Sequence, residues 1–172
     1  KGIDLGAGVT MNVGDTFAFD TIITDAVINA LLGIAQAQGH YYEGTNAATD
    51  ASNFLLGGSA AGSVVYVKNT AGGVEIGGNG GAAIGSVDKP VVVIIDTPDG
   101  SENGWDMKGN AQFYGLVIVL GNSIMRGTCG VHGAVYCGGT LENKGNGSSG
   151  EIAYNASVLW NINHQYVISV NI

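Results

Sequence analysis

Charge is scarce in this sequence. Only 12% of its 172 residues are Asp, Glu, Lys or Arg, about half the share usual in globular domains. Six are basic and fourteen acidic, giving a formal net charge of −8. With no basic stripe to reverse that sign, nucleic acid and anionic membrane surfaces are excluded as electrostatic partners. Cysteine occurs twice, as Cys129 and Cys137, a spacing that rules out a CxxC redox or zinc motif. The three histidines, His40, His132 and His164, are too scattered for a metal motif. No apolar run approaches the roughly 18 residues of a membrane span; residues 91–95 and 116–120 are the longest and have strand length. The chain opens abruptly at Lys1 without a secretory leader, so a processed or truncated form is expected.

Glycine, in contrast, is abundant, with 30 residues. Gly109, Gly115, Gly121, Gly127, Gly133, Gly139 and Gly145 stand six apart in one register. The second and fourth residues after each are mostly small or apolar: Ala111/Phe113, Val117/Val119, Ser123/Met125, Cys129/Val131 and Val135/Cys137. That is a strand face of period two, restarted at every glycine. A longer match aligns Lys108-Gly109-Asn110, Arg126-Gly127-Thr128 and Lys144-Gly145-Asn146 at an interval of 18. These periods predict a mainly β fold, a parallel β-helix (β-solenoid) with three hexads per 18-residue coil, of either hand. Both cysteines fall in the inward set, which makes a disulfide between Cys129 and Cys137 a candidate; two buried thiols are the alternative.

The whole chain, 1–172, reads as a single domain. Residues 1–19 alternate apolar and polar and predict N-terminal strands. Residues 20–39 carry Ile23, Val27, Ala30, Leu31 and Ile34 at helical spacing, with Asp20 or Thr24 able to cap the start and Gly39 the end. This helix is expected to cap the solenoid, covering its open edge. Residues 40–62 form an irregular segment, residues 63–160 the coils, and residues 161–172 a terminal strand. Pro90 sets the start of the β-branched run at 91–95, expected to be covered on both faces.

Several stretches also carry a resemblance. Lys89-Pro-Val-Val-Val-Ile-Ile-Asp96, Met107-Lys-Gly-Asn-Ala-Gln-Phe-Tyr-Gly-Leu-Val-Ile-Val119, Gly130-Val-His-Gly-Ala-Val135 and Glu151-Ile-Ala-Tyr-Asn-Ala-Ser-Val-Leu159 resemble the C-terminal region of PilX-type accessory proteins of type IV pilus assembly. Ala26-Val-Ile-Asn-Ala-Leu-Leu-Gly-Ile34 with Tyr41-Tyr42 is similar to their helix and following loop. The resemblance spans roughly residues 20 to 160 and implies a minor-pilin-like role at the cell surface. Members carry an apolar N-terminal helix that this sequence lacks. The resemblance carries no catalytic residues over.

Candidate chemistry is thin. Asp96, Asp99, Glu102 and Asp106 bracket a turn-rich insertion and are weak calcium candidates, because calcium takes oxygen ligands from flexible loops; their spacing fits no known loop motif, and a solvated acidic loop is the alternative. No other cofactor is expected. Arg126 and His132 share the hexad position that precedes the corner and are expected to point outward, and with Glu142 and Lys144 they give no paired-carboxylate groove for a lyase or hydrolase. Tyr114, Leu120, Arg126 and His132 stand where a hexapeptide acyltransferase has aliphatic residues. Asn146-Gly-Ser148 and Asn155-Ala-Ser157 match the glycosylation pattern. Tyr114, Tyr136, Trp105 and Trp160 are candidate outward aromatics for sugar or partner contact.

The expected function is therefore structural and non-enzymatic: an exported, extracellular or cell-surface subunit or accessory component of a pilus or filament. Its partners would be itself or other filament subunits, with a membrane reached only through a missing N-terminal segment. Ile3, Leu5, Val13, Val167, Ile168, Val170 and Ile172 are the candidate assembly contacts, through strand exchange at the ends. The alternative is a carbohydrate-binding or carbohydrate-active secreted β-helix, such as an adhesin or lyase.

Overall fold

The computed structural model describes residues 23–68, 72–78, 81–97, 104–144 and 150–166. Its first element is helix α1, Asp25–Gln38. Thr24 caps it, its Oγ1 accepting from Val27 N at 3.4 Å, and Gly39 closes it in the left-handed conformation, φ 77°. Glycine suits that position because it has no Cβ to clash there. Strand β1 (Tyr41–Glu43) and helix α2 (Ala47–Leu56) follow. Then come β2 (Val64–Lys68), β3 (Val74–Gly78), β4 (Ala83–Ile84), β5 (Val91–Asp96), β6 (Trp105–Gly109), β7 (Gln112–Val119), β8 (Ser123–Met125), β9 (Gly130–Cys137), β10 (Leu141–Asn143) and β11 (Glu151–Tyr154). Helix α3, Ala156–Tyr166, ends the described chain. Asn155 caps it, accepting from Val158 N at 3.2 Å.

Among the described residues the eleven strands form two sheets, and every pairing is parallel. The larger runs β1-β2-β5-β7-β9-β11, with β4 beside β7; the smaller runs β10-β8-β6-β3. Inner side chains from both sheets share one core, among them Val65, Val93, Ile76, Met107, Phe113, Val117 and Val131. Trp105 meets Phe113 edge-to-face, their rings 5.6 Å apart, a favoured aromatic geometry. A second core lies on the outer face of the larger sheet, where Val64, Tyr66, Val92, Ile94 and Ile118 pack against Leu31 and Ala35 of α1 and Val158 and Ile162 of α3. Strand β5 therefore alternates between two cores and is apolar from Val91 to Ile95, as the run at 91–95 predicts.

The fold class corrects the expectation. The chain is not a mainly β solenoid with three hexads per coil but an α/β fold of two all-parallel sheets and three helices, and the sheets are neither closed nor coiled into a solenoid. The 18-residue interval does appear as strand register, placing Gln112 beside Gly130, Trp105 beside Ser123 and Ser123 beside Leu141. Elsewhere it is lost: Val91 lies beside Gly115 and Val74 beside Trp105. The glycines explain the discrepancy. Gly109 closes β6 and Gly127 follows β8, both in the left-handed turn region at φ 73° and 84°. Gly115 and Gly133 instead sit inside the eight-residue strands β7 and β9. A Cβ at Gly115 would collide with the Val91 carbonyl, and one at Gly133 with the Gly115 carbonyl. One spacing thus serves two needs, a turn and a close backbone approach, and each 18-residue interval here holds two strands rather than three.

The helix expected over 20–39 forms, yet it does not cap. It lies along the outer face of the larger sheet. The capping element is α2, within the segment read as irregular. Residues 161–166 are helical rather than strand, and 167–172 lie outside the described residues.

Candidate interaction end

The two sheets have two ends. At one, the edge strands are β1 and β3; at the other, β10 and β11. Helix α2 covers the first, its Ala47, Ala48, Ala51 and Leu55 joining the inner core beside Val65, Val67, Val74 and Ile76. As a result Val74 and Ile76 are fully buried, although β3 is an edge strand.

At the opposite end the inner face continues without such a cover among the described residues. Strand register puts Leu141 in line with Ser123, Ile152 with Val131, and Tyr154 with Gly133, all on the core side. Yet Leu141 is 39% exposed, Ile152 41% and Tyr154 77%. Among the described residues no further strand pairs with β10 or β11. Lys144 N donates to the Met125 carbonyl, and Ser123 N donates to the Thr140 carbonyl. Backbone groups alternate along a strand, so those of Leu141 and Asn143 face away from β8. The Asn143 side chain ties the two edge strands together, its Nδ2 donating to Gly150 O at 2.8 Å and its Oδ1 accepting from Gly150 N at 3.1 Å. This two-point amide clasp holds β10 and β11 at a fixed separation.

The outer face of the smaller sheet carries a cluster of six charged side chains. Glu75, Asp106, Ile124 and Glu142 share one row by register. Lys108, Arg126 and Lys144 lie two residues further along their chains. Three ion pairs cross between the rows: Lys108 with Glu75 at 2.6 Å, Arg126 with Asp106 at 3.1 Å and Lys144 with Glu142 at 2.9 Å. All but Asp106 are about half exposed, so each pair contributes at most about 1 kcal/mol.

The sequence-derived candidates are dispersed. Asp96 ends β5 and accepts from the Tyr66 hydroxyl at 3.2 Å, whereas Asp106 is on the other sheet beside Arg126; Asp99 and Glu102 lie outside the described residues. Among the described residues no three His, Cys, Asp or Glu side chains gather around a possible metal. Cys129 and Cys137 are free thiols, at opposite ends of β9 and so roughly 23–26 Å apart at the rise of an extended strand. That separation excludes the expected bridge. Burial raises the pKa of both thiols, which disfavours the reactive thiolate. The candidate contacts Ile3, Leu5, Val13, Val167, Ile168, Val170 and Ile172 all lie outside the described residues.

The histidines occupy three separate aromatic stacks, on Phe54, Tyr114 and Trp160. Trp105 is buried in the core rather than outward, Tyr114 and Tyr136 pack under the outer helices, and Trp160 is exposed. Asn155 serves as the cap of α3. Leu141, Ile152 and Tyr154 did not stand out in the sequence; their signal was the inward phase of Leu141, one 18-residue step after Ser123. No helix among the described residues is long and apolar enough to cross a membrane. Comparison of the chain with protein-family models, with curated proteins and with solved structures finds no match in any of the three.

Proposed function

We propose that this chain is a structural building block that acts by protein–protein contact through its β10–β11 end, as a subunit or accessory component of an extracellular pilus or filament. The carrying observation is the asymmetry of the ends among the described residues: α2 buries the inner face at one, while Leu141, Ile152 and Tyr154 are exposed on the edge strands β10 and β11 at the other. Exposed apolar side chains next to unpaired strand edges are the two ingredients of recognition by strand addition, hydrogen bonds giving affinity and inner-face side chains giving register. The resemblance to PilX-type accessory proteins supports the same reading and supplies its cell-surface setting.

The test is association of the purified chain by light scattering and negative-stain microscopy, with Leu141→Asp and Ile152→Asp introduced together. The expected outcome is an assembly in the parent chain and a folded monomer in the variant, because the substituted positions are already solvent-exposed. An unchanged assembly in the variant would overturn the assignment of this end. A monomeric parent that is retained on immobilised glycans would favour the carbohydrate-binding alternative instead.

A further inference from the structure

We infer that the occupant of the β10–β11 end is a second copy of this chain, joined by a two-fold axis through antiparallel pairing of β10 with β10 of the other copy. The inference rests on the assembly reading above and names its partner.

Three observations select a two-fold pair. The first is the direction of the backbone groups. Those of Leu141 and Asn143 face away from β8, where no described strand pairs with β10, while Glu142 and Lys144 turn theirs toward β8. An antiparallel pair centred on Asn143 then makes Asn143 and its symmetry mate a hydrogen-bonded pair. It places Glu142 opposite Lys144 of the second copy, and Lys144 opposite Glu142, in the close non-hydrogen-bonded sites where cross-strand side chains interact most.

The second is charge. Glu142 and Lys144 are both about half exposed on one face of the edge. The two-fold arrangement turns each single difference into two reciprocal opposite-charge pairs, which is what an isologous interface requires. Parallel head-to-tail addition of β10 to β3 of another copy, extending the register seen within the sheet, would instead set Glu142 beside Glu75.

The third is the other end. There α2 presents Thr49, Asp50 and Asn53 outward, with Leu56 at its last position 37% exposed, a mainly polar surface that is a poorer match for an exposed Leu141, Ile152 and Tyr154. A copy approaching by its own β10–β11 end brings apolar residues to apolar residues. The assembly therefore closes at two, with an α2 cap at each extremity, and any larger structure is built on this pair through other surfaces.

The decisive experiment is a charge swap measured by sedimentation equilibrium of the full chain. The parent chain should be a dimer that does not grow with concentration. Glu142→Lys and Lys144→Glu should each turn both reciprocal pairs repulsive and weaken the dimer by roughly tenfold or more. The double variant Glu142→Lys with Lys144→Glu should restore it, since every opposing pair is again of opposite sign. Circular dichroism melts taken at concentrations where all four proteins are monomeric should agree to within a few degrees, and the parent and double variant should gain melting temperature with concentration where the single variants do not, separating association from folding. Species that lengthen with concentration would overturn the two-fold pair while leaving assembly standing. A dimer that the single reversals leave intact would also overturn this register. A parent chain monomeric at every concentration would overturn the self-pairing and the homotypic form of the assembly reading together.

Discussion

At the β1–β3 end of the sheets a ten-residue helix fills the space between two edge strands; at the β10–β11 end the described residues put an asparagine clasp and three exposed apolar side chains in the same place. Strands at both ends are short and pair in parallel, so the sheets themselves do not cause the difference. What differs is whether the inner face is completed within the described chain. A completed end contributes to folding stability, because its apolar surface leaves water when the chain folds. An incomplete end keeps that surface available for a partner, at roughly 25 cal/mol per Å² of apolar area subsequently covered.

The sharpest way to break this comparison is the same substitution at each end. Leu55→Asp on α2 places a carboxylate at a site 1% exposed, and the chain should lose several kcal/mol or fail to fold. Leu141→Asp at the other end should leave the melting temperature within a few degrees of the parent. If thermal melts showed comparable losses, the two ends would be equally structural.

Alkaline pH offers a second, intermediate effect, confined to the capped side. Burial, reinforced by the nearby Asp96 carboxylate, pushes the Tyr66 hydroxyl from its ordinary value of 10 up to about 12; burial alone pushes Tyr166 to about 12. Both groups prefer to stay protonated when folded. Their contribution is therefore fully present below pH 10 and is lost as pH rises through 12. Tyr66 sits beside β1, and the Tyr166 hydroxyl donates to Gly62 O at 2.6 Å, so hydrogen exchange between pH 10 and 12 should accelerate in β1 and β2 before β9. Tyr66→Phe should flatten that dependence, and an equal rise in β9 would argue against a local cause.

The smallest effect belongs to the start of α3, next to the open end. Asn155→Ala removes the acceptor for Val158 N and should cost about 1 kcal/mol. The loss, read by chemical denaturation, should leave Leu141 and Ile152 as exposed as before and the association constant unchanged.

How much of this was legible in the sequence can be traced element by element. Helix α1 announced itself through Thr24, Gly39 and its apolar spacing, and the inner-core residues followed from the phase of residues 111–131. Helix α2 was hidden because its buried face is mostly alanine, which gives weak periodicity. Helix α3 carried a usable signal, Val158, Ile162 and Tyr166 at intervals of four, masked by β-branched and aromatic residues that also suit strands. The number of sheets was not legible at all. A glycine in a turn and a glycine under a neighbouring carbonyl read identically in sequence, and only pairing distinguishes Gly109 from Gly115. The open end was obscure for a related reason: an apolar residue in the inward phase announces a core, and whether anything covers it depends on elements remote in sequence.

One contact described above also sets an order of events in folding. Most neighbouring strands are separated by a few tens of residues, so each pairing closes a modest loop. The hydroxyl of Tyr166, by contrast, reaches back 104 residues to Gly62, while Asn161 and Gln165 on the same helix grip the carbonyls of Val87 and Asp88. Those acceptors are in place only once β2 and β5 are paired. Helix α3 is therefore expected to dock late, over a sheet already assembled, and contacts made after the rate-limiting barrier chiefly slow unfolding. On that order Asn161→Ala should speed unfolding more than it slows refolding in stopped-flow measurements.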